Sequence, residues 1–72
     1  VAYTADSARI TAAMAHAGAS ATKTAFATDL ATLQTQIQTK ASKYSEHVAC
    51  ILDQRLMALA SEIASAIKDV TT

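Results

Sequence analysis

Proline is absent from this 72-residue chain, and Gly18 is its only glycine. Hairpins and sheets need turn residues, so an all-β or α/β fold is excluded. A single cysteine, Cys50, excludes an intrachain disulfide. Tryptophan is missing, and the three aromatics Tyr3, Phe26 and Tyr44 offer little bulk for a globular core. Charge of one sign is missing too. Six basic residues balance six acidic ones, and no basic stripe exists, so nucleic acid is not expected as a partner. The longest uncharged run, Ile10 to Thr22, has 13 residues. A bilayer span needs about 20 apolar ones.

What remains is alanine, threonine, glutamine and evenly spaced aliphatics. Alanine has the best helix propensity, and the predicted class is all-α. Thr4 or Asp6 suits the N-cap of a short helix over 4–17, with Ile10 and Met14 on a weak apolar stripe. Gly18 suits a helix C′ position and Ser20 the next N-cap. From Ser20 to Val70 no glycine or proline interrupts 51 residues. The reading is therefore one long helix over about 20–70, roughly 76 Å if continuous. The alternative is a compact three-helix bundle, broken near Gly18 and again in "SKYS", Ser42 to Ser45.

The long helix carries a ladder of Phe26, Leu30, Leu33, Ile37, Tyr44, Val48, Leu52, Leu56, Leu59, Ile63, Ile67 and Val70, with Ala41 filling one gap. Its mean step is about 3.67 residues, closer to an eleven-residue repeat than to the 3.5 of a left-handed coiled coil. A straight or right-handed bundle is expected. One row, Leu33, Tyr44, Arg55 and Ala66, fails at Arg55. Cys50, Met57, Ala60 and Ala64 make the C-terminal third apolar on more than one side, which predicts contact from two directions. Small chains rarely stabilise a fold by more than about 3–5 kcal/mol without a staple. With disulfides excluded, the expected staple is self-association as a trimer or larger, or a filament. The charges carry a net +2 through Ser45 and −2 from Glu46 onward, which favours antiparallel or staggered pairing.

Opposite the ladder lie Thr24, Thr28, Thr35 and Thr39. A threonine hydroxyl can bond its own i−4 carbonyl and turn its methyl outward, so this face reads as a solvated surface or a lateral contact. The pairs Thr24/Thr35 and Thr28/Thr39, eleven apart, resemble helical antifreeze proteins in that spacing alone. The chain departs from them in its bulky aliphatics. "LQTQIQ", together with chain size, looks like type III secretion needle and inner-rod subunits, but the Pro-containing hairpin loop of the needle is missing.

Other chemistry is sparse. In "EHVACILD", His47, Cys50 and Asp53 stand three apart, but one helix offers at most two good metal ligands. His16 reads as surface. No nucleophile–base pair or phosphate loop is recognisable. The expectation is a structural, self-assembling protein, not an enzyme, with no cofactor and no metal. An amphipathic membrane-surface helix is the alternative. The chain begins at Val1, which reads as a processed or excised segment, soluble or surface-assembled and secreted after processing.

Overall fold

The computed structural model describes residues 2–71 and shows three helices and no strands among them. An extended strap leads into α1, Ser7–Ala13, and a 3₁₀ turn follows at Ala15–Ala17. The long elements are α2, Ala21–Tyr44, and α3, Glu46–Thr71. The molecule measures 42 × 16 × 15 Å.

The caps lie where the short polar residues stand. Asp6 accepts from the backbone N–H of Ala8 at 3.0 Å, and Ser20 accepts from that of Lys23 at 3.1 Å. Each satisfies a helix donor that otherwise has no partner. Gly18 closes the 3₁₀ turn at φ +78°, a conformation glycine adopts freely.

The continuous helix over 20–70 is corrected. It breaks at Ser45, inside the "SKYS" segment, and the compact bundle is the architecture formed. The straight or right-handed coiled coil built on one long helix therefore falls away. Ser45 reverses the chain alone. Its N–H donates to the Ala41 carbonyl at 3.0 Å, its carbonyl accepts from Ala49 at 3.1 Å, and its hydroxyl accepts from the N–H of Val48 at 3.2 Å. One residue thus ends α2 and caps α3. Its backbone sits at φ +123° and ψ +153°, a region that strains any residue with a Cβ. No glycine or proline marks the turn, which is why the sequence reads as uninterrupted there.

Reversal makes α2 and α3 antiparallel. Ala41 meets Ala49 near the turn, Gln34 meets Asp53 further on, and Leu30 packs with Ala60, Ala64 and Ile67. The strap, α1 and the 3₁₀ turn lie along one side of this hairpin. Ile10, Met14 and Ala17 enter the main core from there. Ala49, Ala60 and Ala64 are fully buried, and small side chains on α3 let two other elements approach its backbone. The contact from two directions expected for the C-terminal third is present. Its second source is the chain's own N-terminal segment.

Two outcomes test this fold. Ser45→Gly relieves the strained backbone and gives up only a few tenths of a kcal/mol of capping, so it raises stability in urea denaturation by about 1 kcal/mol. Ser45→Ala loses the cap, keeps the strain and lowers stability by a similar amount. Met14→Ala, at the centre of the core, costs about 2–5 kcal/mol in the same assay.

Candidate functional site: a carboxylate clasp and an open apolar face

Asp53 is 3% exposed, although it is charged. The α3 stripe Ala49, Asp53, Leu56, Ala60, Ala64, Ile67 points inward, and Asp53 holds a position that an apolar residue would otherwise fill. Three donors converge on it. Tyr3 Oη donates to Oδ1 at 2.9 Å, Gln34 Nε2 donates to the same oxygen at 2.8 Å, and the Arg9 guanidinium pairs with Oδ2. Gln34 is itself 1% exposed. Every buried side-chain polar atom among the described residues has a partner. A buried carboxylate with fewer partners would be strongly unfavourable.

This node fastens the strap to the hairpin, with Tyr3 and Arg9 on one side and Gln34 of α2 and Asp53 of α3 on the other. Two further links extend the seam. The Ala5 N–H donates to Gln38 Oε1 at 2.9 Å, and His16 Nε2 lies 3.2 Å from the Ser65 hydroxyl. Burial alone would raise the Asp53 pKa. The bonds from Gln34, Tyr3 and Arg9, with the Arg9 charge, outweigh it and hold the carboxyl below its ordinary value. Burial, and then the bond to Asp53, push the Tyr3 phenol up to about 12.

The arrangement leaves Asp53 no room as a metal ligand. His47 and Cys50, its companions in "EHVACILD", stay exposed. Among the described residues no group of three metal-ligating side chains is assembled.

The twelve-residue ladder divides. Leu30, Leu56 and Ile67 are buried within the chain, and Ile37, Tyr44 and Ile63 are half-buried. Phe26, Leu33, Val48, Leu52, Leu59 and Val70 are exposed, Leu33 at 45% and Leu59 at 43%. Their place follows from helix phase. α1 covers α2 beside Lys23, Thr24, Ala27 and Ala31, while the strap covers α3 beside Cys50, Asp53 and Gln54. The exposed residues fall on the opposite flank of each helix at about 100° per residue. Thr22 of α2 meets Ala66 and Val70 of α3 in a shallow groove on that flank. The two flanks therefore form one open, apolar side of the hairpin. Single exposed aliphatics are ordinary, and here several lie together on one side.

The threonines behave otherwise. Thr24, Thr28, Thr32, Thr35 and Thr39 are all exposed, and each hydroxyl donates to its i−4 carbonyl at 2.9–3.3 Å. With the hydroxyls engaged on the helix backbone, these five positions carry no charge.

The sequence ladder misses Gln34, Asp53, Ala49, Ala60 and Ala64 as interior positions. The available signal was the 4-3-4-4-3 spacing of Ala49, Asp53, Leu56, Ala60, Ala64 and Ile67, whose smaller members each stand one position after a ladder residue. No protein-family model matches the chain, and neither a curated protein nor a solved structure matches it.

The pH dependence follows from the node. With its pKa lowered, Asp53 contributes stability above the unfolded value of about 3.9, and that contribution is lost as pH falls through the folded value. With its pKa raised, Tyr3 contributes stability below its unfolded value of about 10, and this is lost as pH rises toward 12. Urea midpoints measured across pH should show both limbs. Asp53→Asn flattens the acid limb and Tyr3→Phe the alkaline one.

Proposed function

We propose that this chain is a structural subunit whose activity is self-association, serving as an oligomerisation stalk or fibre component. The observation that carries the reading is the uncovered apolar side of the hairpin, bearing Phe26, Leu33, Leu52 and Leu59. The covered side shows what such a groove takes: the strap and α1 bury Ile10 and Met14 against the same two helices. A second copy laid on the open side supplies the equivalent cover. The footprint, at most 42 by 16 Å, is of the order of the roughly 800 Å² per partner that a standard interface buries.

One open side per chain closes a dimer. A trimer or filament needs another surface, and the uncharged threonine face with its back-bonded hydroxyls offers one. A lipid surface is the competing occupant. No helix among the described residues is long and apolar enough to cross a membrane, so lipid contact would be adsorption of the open side.

Sedimentation velocity at micromolar concentrations tests the proposal. A dimer or larger species is expected, and Leu33→Asp with Leu59→Asp returns it to a monomer. Both positions are exposed, so the far-UV dichroism of that variant stays helical. A wild-type monomer that gains mass only with vesicles moves the assignment to the membrane-surface reading.

A further inference from the structure

The charges bordering the open side are segregated by end. Asp29 and Lys40 lie on the α2 flank of the open face, and Lys43, Arg55, Glu62 and Asp69 border it at about 100° per residue. All six are exposed. Among the described residues none has an ion-pair partner within the chain. Lys40, Lys43 and Arg55 fall in the half nearest the Ser45 turn. Asp29, Glu62 and Asp69 fall in the half nearest the helix ends away from it. The open side is therefore positive at one end and negative at the other.

Two faces can stack about a two-fold axis in their common plane in two ways. With the axis along the helices, turn lies over turn, and like charges meet at both ends. With the axis across the helices, the turn half of each copy covers the far half of its partner. Along α2, Lys40 and Lys43 then meet the partner's Asp29, and along α3, Arg55 meets the partner's Glu62 and the partner's Asp69, once at each end. Apolar burial drives either stacking, and the charge pattern separates them.

We infer that a second copy of this chain docks on the open side in the antiparallel two-fold arrangement, turn over helix ends, selected by this charge complementarity. The inference rests on the self-association reading above. The resulting unit is a four-long-helix bundle in which α2 runs against its symmetry mate and α3 against its own. The strap and α1 of each copy remain on the outside.

Charge reversal tests it. Lys40→Glu with Lys43→Glu, and separately Glu62→Lys with Asp69→Lys, each place like charges together. Each double variant should raise the dimer dissociation constant by about tenfold or more in sedimentation equilibrium at low salt. Adding Asp29→Lys to the first pair, or Arg55→Glu to the second, restores opposite pairing along that helix and should return the constant to within about threefold of wild type. Far-UV dichroism of every variant should match wild type, because the substituted side chains are exposed. Double variants that dimerise as tightly as wild type overturn the antiparallel arrangement. So do restored triple variants as weak as the doubles. A wild-type chain that stays monomeric to about 1 mM instead removes the self-association reading itself, and the two failures are distinguishable.

Discussion

At Ser45 the helix turns back within one residue, and the rest of the molecule follows from that reversal. It sets α2 against α3 along nearly their whole lengths and creates a thin rod with two long sides. A hairpin of two helices cannot bury a full apolar surface by itself, because each helix has one neighbour. The described residues cover one side. The strap, α1 and the 3₁₀ turn do so, and Ile10, Met14 and Ala17 complete a core with Leu30, Leu56, Ala60, Ala64 and Ile67.

Asp53 decides which side is covered. Apolar packing alone is weakly specific about where a seven-residue helix rests. A buried carboxylate that needs Tyr3, Arg9 and Gln34 together can be satisfied in one arrangement. Removing those partners leaves buried polar atoms unpaired, at about 1–3 kcal/mol for each group. The node thus works as a register pin between the N-terminal segment and both long helices. Among the described residues the opposite side has no comparable polar anchor, and exposed charges border it. That contrast separates the intramolecular seam from the side left uncovered.

Much of the architecture was legible in the sequence, and the failures have physical causes. The all-helical class, the caps at Asp6 and Ser20 and the interruption at Gly18 follow from composition and capping chemistry, and the structure has them. The break at Ser45 does not announce itself, because a serine accepts a strained φ there in return for three backbone and side-chain bonds. The apolar ladder is real as a set of positions, but the reversal splits it. Leu30, Leu56 and Ile67 turn inward, while Phe26, Leu33, Leu52 and Leu59 turn outward. Size misled the reading of the core. Large residues seemed to define the buried stripe of α3, yet its most buried positions include Ala49, Ala60 and Ala64, because close packing of three elements favours small side chains at their common axis. Asp53 stood out in the sequence only beside His47 and Cys50 in "EHVACILD", because its hydrogen-bonding partners stand as far as 50 residues away. The back-bonded hydroxyls of the threonine face are a local feature and needed no tertiary information.

The claim on which this account stands is that the uncovered side of the hairpin is occupied by another copy. An isotope-filtered nuclear Overhauser experiment on a mixture of labelled and unlabelled chains reads this directly. The account predicts intermolecular contacts at the methyls of Leu33, Leu52 and Leu59, and none at Ile10 or Met14. Contacts confined to the Thr24 and Thr28 methyls, or no intermolecular contacts at concentrations where mass measurements show an oligomer, would contradict it.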